Sequence, residues 1–170
     1  MLPIALAVLV GVVIHVTLHI FRSAAGVKIV KLELLENGTY RESPPPDKLP
    51  PGAITVLMPV GDLFFAGAGN LQEHLPSAEN VKRAVVILRL RRRKEVGSTF
   101  LQLIDRYAQE LERNGGKLVL AGVGNHVYQQ LEATSLLEKL GEEWVYSATD
   151  IVTESLRRAI AEARQWLSEE

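Results

Sequence analysis

Between Leu2 and Phe21 the chain reads LPIALAVLVGVVIHVTLHIF, 20 residues without a formal charge. Wound as a helix, a run of this length covers about 30 Å, the hydrocarbon thickness of a bilayer. Its polar members, His15, Thr17 and His19, gather toward the C-terminal end, where headgroups begin. Arg22 follows directly, then Lys28 and Lys31, whereas Met1, Leu2 and Pro3 bring no side-chain cation. Cations behind the span and none ahead of it put the rest of the chain on the cytoplasmic side of the cell's inner (plasma) membrane. A secretory signal would carry its cations before a shorter apolar run, although Ser23-Ala24-Ala25 could mimic a cleavage site. The pattern therefore predicts one transmembrane helix over residues 1–22. His15 and His19 share a helical face at a metal-ligand spacing, yet no carboxylate or third histidine lies nearby, and no metal site is expected.

Behind that segment there is room for one ordinary domain. A net charge of −1 gives no reason to expect a nucleic-acid partner. The absence of cysteine excludes disulfides, Cys-based zinc sites and thiol catalysis. Residues 23–52 are read as a first strand, a hairpin and a connection. Val27–Glu36 alternates in part, Asn37-Gly38 is a tight-turn dipeptide, and Ser43–Gly52 (SPPPDKLPPG) is too proline-rich for a helix or a central strand. That connection is expected to lie stiffly on the surface.

Residues 53–170 then alternate between strand and helix patterns. Ala53–Val60 and Ala84–Leu90 are short apolar runs of the buried-strand type, the first resuming at Leu63-Phe64-Phe65 after Gly61-Asp62. Gly67–Leu75 is a short helix stopped by Pro76. In Ser98–Arg113, Phe100, Ile104, Tyr107 and Leu111 recur on one helical face, and Gly115-Gly116 supplies the stop. Lys117–Ala121 is another strand, with helices near Asn125–Glu132 and Ser135–Leu140, and an edge strand near Trp144–Tyr146. Asp150 is placed to cap a last helix whose stripe is Val152, Leu156, Ile160, Ala163 and Leu167. Strands separated by helices predict an α/β layer structure, and the hairpin makes its sheet mixed.

Three features bear on chemistry. Gly67-Ala68-Gly69 and Gly122-Val123-Gly124 follow strands and open helices, but Gln72 and Val127 stand where the dinucleotide fingerprint needs glycine, and neither turn continues as a Walker motif. Arg89, Arg91, Arg92, Arg93 and Lys94 form a dense cationic cluster whose self-repulsion invites an anion. Arg92, Arg93, Lys94 and Gly97 are the candidate contacts for a nucleotide phosphate or an anionic lipid, the alternative being a solvated loop. Ser98 and Thr99 open the amphipathic helix, either as its cap or as a phospho-acceptor that would meet the positive end of the helix dipole. His74 and His126 have no motif linking them to a nucleophile, and Asp62, Asp105 and Asp150 show no metal-pair spacing. No catalytic residue and no cofactor is assigned, and no enzyme is expected.

In their order and spacing, the Leu2–Phe21 segment running into Phe21-Arg22-Ser23, then Leu63-Phe64-Phe65-Ala66, Val85–Leu90 and Gly97-Ser98-Thr99-Phe100 resemble the C-terminal end of bacterial SulP-family anion permeases. The likeness covers a last membrane helix and a STAS domain. It implies a mixed sheet of four or five strands with helices mainly on one face. It also implies a non-enzymatic regulatory or interaction role in transport of sulfate, bicarbonate or dicarboxylate. The partner would be a transporter membrane domain or a protein regulator. A complete SulP permease carries many membrane helices ahead of this point, so the chain is expected to act as a fragment or a tethered module and not as a transporter. STAS domains that antagonise anti-sigma factors carry Asp-Ser-Ser/Thr-Gly at this turn, the serine being phosphorylated. Here the run is Gly97-Ser98-Thr99-Phe100, so the aspartate and glycine are absent. A signalling adaptor switched at Ser98 and a nucleotide-binding α/β domain stay open as alternatives.

Overall fold

Successive side chains of a strand face opposite ways, so a run apolar at every position must be covered on both faces. Val85, Val86, Ile87 and Leu88 form such a run, and all four are buried. The computed structural model describes residues 4–25, 27–61, 63, 68–91 and 93–169, apart from the side chains of 20–25 and 68–70. Its sheet has six strands in the order β2-β1-β3-β4-β5-β6. These are β1 Lys28–Leu34, β2 Tyr40–Ser43, β3 Ile54–Val60, β4 Val85–Arg89, β5 Lys117–Val123 and β6 Val145–Ser147. β1 runs antiparallel to both β2 and β3, while β3 to β6 are mutually parallel.

The helices are α1 Ile4–Ala25, α2 Ala68–Glu73, α3 Ser98–Arg113, α4 Asn125–Ala133, α5 Leu136–Leu140 and α6 Glu154–Ser168. On one face Leu57, Val86, Leu88, Leu118 and Leu120 meet Leu71, Phe100, Ile104, Leu111, Val127, Leu131 and Leu136 from the four helices α2 to α5. On the other, Val56, Val85, Ile87, Val119 and Ala121 meet Leu156, Ala159 and Ala163 of α6. Each fully buried Leu or Ile in these layers contributes about 1.5–3 kcal/mol of transfer free energy. A bulge after Ala121, where Gly122 takes φ +73°, shifts the alternation so that Val123 rejoins the first face. α3 ends in a left-handed turn: Gly115 N–H donates to Glu112 O at 2.9 Å and Gly116 N–H to Leu111 O at 2.8 Å.

The α/β mixed sheet and the one-sided crowding of helices agree with the sequence reading; several details do not. The sheet has six strands, not four or five, because the short polar arm β2 and the three-residue β6 both pair fully. The proline-rich connection is not merely superficial. Leu49 is buried, and Leu49 N–H and Ser77 N–H bond to Ser77 O and Asp47 O at 3.0 and 2.9 Å. Leu63 lies outside any strand, while Phe64 and Phe65 fall outside the described residues. The last helix starts after Thr153, which sits at φ +80°, so Asp150 does not cap it and Val152 lies exposed ahead of the stripe.

α1 stands apart in character. It is 22 residues long, and every described side chain in it, from Ile4 to His19, is exposed on all sides of the helix. Among the described residues no helix is long and apolar enough to cross a membrane, the far end of the expected 1–22 span lying beyond the described side chains.

Candidate functional site

All four parallel strands end at one edge of the sheet, and β1 begins there, since Lys28 pairs with Val60. Of the residues singled out for chemistry, Arg93, Lys94, Gly97, Ser98 and Thr99 lie at this edge, because strand-to-helix turns follow the strand ends. Gly97 takes an extended conformation, φ −74° and ψ 155°, as the residue before α3. Its N–H donates to Leu63 O at 3.3 Å, and its carbonyl accepts from Leu101 N–H at 3.2 Å. The preceding Val96 is held by the Gln130 amide, which accepts from Val96 N–H at 3.1 Å and donates to Val96 O at 3.0 Å. The chain thus enters α3 already anchored through its backbone, and no side chain caps the helix. Ser98 is the first helical residue and exposed, and Thr99 is half-buried, so neither acts as the cap expected of them.

The cationic cluster is dispersed. Arg93 donates its guanidinium to the carbonyls of Pro59 and Gly61 at the end of β3. Arg91 Nη1 donates to Thr149 O at 3.0 Å, beyond β6, and Arg89 Nη1 lies 3.4 Å from Met58 Sδ. Lys94 is exposed, and Arg92 is outside the described residues. Spreading the guanidiniums over separate carbonyls relieves the like-charge repulsion that a single patch would carry. Among the described residues, no group of three or more His, Asp or Glu is disposed to hold a metal ion.

Beside Ser98 a cavity of about 180 Å³ is lined by Leu101, Gln102, Asp105, Thr134 and Leu136. Lys139 donates to Asp105 Oδ2 at 2.7 Å across α5 and α3, and that bond chiefly holds the Asp105 carboxyl below the usual carboxylate range. Tyr107 donates to Pro76 O at 2.8 Å, and burial raises its hydroxyl well above the ordinary tyrosine value. A larger groove of about 430 Å³ opens where α6 stops short of the hairpin, over Leu32, Tyr40, Ile54, Val56, Ile160 and Leu167. Lys31 and Glu33, 2.9 Å apart, and Arg164 line it as well. The groove unites three distant stretches of chain, and no local pattern in the sequence announces it.

Residues 46–151 match the family described as STAS domain. A crystal structure of a sulfate transporter family protein from Wolinella succinogenes is 30% identical, with 72% of this chain and 92% of that one covered and a TM-score of 0.55. SLC26A9 is alike in fold at 14% identity and a TM-score of 0.67, over 95% of this chain and 28% of its own. Murine Solute Carrier 26 family member A9, an anion transporter in the inward-facing state, gives 13% identity and a TM-score of 0.64, over 93% and 25%. The chain thus spans about a quarter of the length of these last two. No curated protein matches the sequence.

Proposed function

This chain belongs to the STAS domain family, and from that premise we propose that it is a non-enzymatic interaction module held at the cytoplasmic face of the membrane by α1, serving SulP-type anion transport. The carrying observation is the order of its parts: a 22-residue helix whose described side chains, Ile4 to His19, are mostly apolar and exposed on every side, then β1 of the folded domain only two residues after it. A soluble protein hides such a surface, whereas a bilayer accepts it. The likeness to the Wolinella sulfate transporter family protein supports the link to anion transport. Because α1 makes up 22 of 170 residues, a match over 95% of the chain takes in most of it, so the fold likeness to SLC26A9 runs into the helix. The proposed partner is the membrane domain of a permease.

The test is fractionation of cells expressing the full chain, followed by extraction with alkaline carbonate and by protease added outside intact cells. The chain is expected in the carbonate-resistant membrane fraction, shielded from the protease. Recovery in the soluble fraction, or digestion from outside, refutes the reading. Purification from native membranes should bring a multi-span anion permease with it.

A second reading, a switch at Ser98, draws on its exposure and its position as the first residue of α3 without a capping role. A phosphate there would meet the free N–H groups of the first turn. Mass spectrometry of protein from its native cells decides it, and unmodified Ser98 and Thr99 under all growth conditions would dismiss it.

A further inference from the structure

Outside α1, the exposed large apolar side chains among the described residues are Leu34, Ile151 and Val152. The last two are adjacent, 60% and 57% exposed, in the loop between β6 and α6. Thr153 follows at φ +80°, a left-handed conformation that a β-branched residue adopts only under constraint. Backbone strain beside two exposed aliphatic side chains is costly twice over for a loop with nothing to touch.

The loop's position in the sheet names what it touches. β6 runs parallel to β5, and Ala148 N–H donates to Val123 O at 2.7 Å, so residues 148–153 leave the sheet at the edge where the parallel strands end. Lys28 opens β1 at that same edge, and α1 ends at Ala25. Three chain steps of about 3.8 Å hold the β1 corner of the edge within roughly 11 Å of the end of α1, and the loop lies four strands along that edge, about 19 Å further at about 4.8 Å per strand. Arg91, bonded to Thr149 O at 3.0 Å, and the exposed Lys28, Lys94 and Arg157 supply cations along this edge. Glu95, Asp150 and Glu154 share the edge. The charges therefore nearly balance, and the apolar pair must carry the contact.

Resting on the reading of α1 as a membrane anchor, we infer that the β6–α6 loop is a second membrane contact, inserting Ile151 and Val152 into the lipid interface beside α1. Two aliphatic side chains are too weak an anchor to recruit a free domain. Tethered within about 30 Å of the anchor on one rigid sheet, the loop meets the bilayer at a high effective concentration, and a weak contact is enough to set the domain's orientation.

The chain has no cysteine, so one introduced thiol can be labelled uniquely. In the full chain reconstituted into phosphatidylcholine vesicles, an environment-sensitive fluorophore is placed by Ile151→Cys, by Gly11→Cys in α1, or by Glu36→Cys in the hairpin at the opposite edge. Vesicles with and without spin-labelled lipid then report depth. The Gly11 label should be quenched strongly, the Ile151 label at least twofold, and the Glu36 label not at all. Adding Val152→Asp to the Ile151→Cys chain should abolish its quenching and leave Gly11 labelling unchanged. Gly11 quenched with Ile151 silent overturns the second contact and leaves the anchor standing; Gly11 silent overturns the anchor itself. Quenching of Ile151 that survives Val152→Asp also overturns the inserted-pair account.

Discussion

Replacing Gly116 by alanine tests the packing between α3 and the start of the parallel sheet. A Cβ built there lies 2.3 Å from Ala84 O and 3.2 Å from Leu111 O, both backbone atoms that no rotamer change can move. Ala84 and Gly116 must part by about 0.7 Å before the contact even reaches the lower limit of real Cβ contacts, and a close-packed interior resists this. That displacement also stretches the Lys117 N–H to Ala84 O bond, now 3.0 Å, which begins the pairing of β4 with β5. Overpacking costs about 1–3 kcal/mol and a lost backbone hydrogen bond about 1. Together they imply about 2–4 kcal/mol, or a melting temperature lower by roughly 5–15 °C for a domain of this size. Gly115→Ala is the control. It carries the positive φ of +68°, but its Cβ would meet nothing nearer than Arg83 Cγ at 3.9 Å, so its penalty is the left-handed strain of about 1–2 kcal/mol. Urea unfolding of both full-chain variants in mild detergent, followed by the fluorescence of Trp144 and Trp166, gives the comparison. If Gly115→Ala proves the more damaging of the two, close approach is not what selects glycine at 116.

Arg83→Ala should cost about 2–3 kcal/mol. Its guanidinium donates to Trp166 O and Glu169 O at 3.1 Å and sits 5.2 Å from the Trp166 ring, so tryptophan emission should shift along with the unfolding midpoint. Tyr107→Phe leaves the buried Pro76 carbonyl without its donor and should lower stability by about 1–2 kcal/mol in urea titration. Lys139→Met should cost about 0.5 kcal/mol at pH 7, since its partner Asp105 is partly exposed. Asp105 has its folded pKa depressed chiefly by the hydrogen bond from Lys139, so the pair's stabilisation is present above the unfolded value of about 4 and is lost as pH falls through the folded value. The difference between wild type and Lys139→Met should therefore shrink in unfolding titrations as pH is lowered below the unfolded carboxylate value, and a difference that does not fall with pH would contradict the assignment.

What the sequence made legible was periodicity. Phe100, Ile104, Tyr107 and Leu111 do line the buried face of α3, and Val85 to Leu88 do form a strand covered on both faces. What escaped has a physical reason in each case. The Asn37-Gly38 turn announces the antiparallel pair, but β2 itself, Tyr40–Ser43, is four polar or half-exposed residues with no alternation to mark its extent, so the strand count falls short. The start of α6 was misplaced because Thr153 reaches the N-cap position at a positive φ, against its own backbone preference. The charge of an arginine is visible in the sequence, but its reach is not. Arg91 and Arg93 are consumed by carbonyls 58 and 32 to 34 residues away, partners that only the folded sheet supplies.

Those same bonds also fill the edge where the parallel strands end. In open parallel sheets the crevice beyond the strand ends is the usual ligand site, because turns there leave backbone N–H groups and space. Here that space is crossed by the chain's own groups. Arg93 ties residues 59 and 61 to the segment after β4, Arg91 ties that segment to Thr149, and Gln130 occupies both polar groups of Val96. Gly97 N–H, which could have faced a phosphate, is bonded to Leu63 O. Among the described residues, Arg91, Arg93 and the Gly97 N–H, donors that a nucleotide could use, are thus engaged by the protein itself. Exposed at this edge are Lys28, Lys94, Glu95, Ser98, Asp150, Arg157 and the Ile151–Val152 pair. Arg93→Met should loosen the join between β3 and the segment before α3, and hydrogen exchange should quicken at Gly97 and Leu101 while the β4–β5 amides keep their protection. Uniformly unchanged exchange would show that the arginine is not a strut and would free it for the anion-binding role that the sequence first suggested.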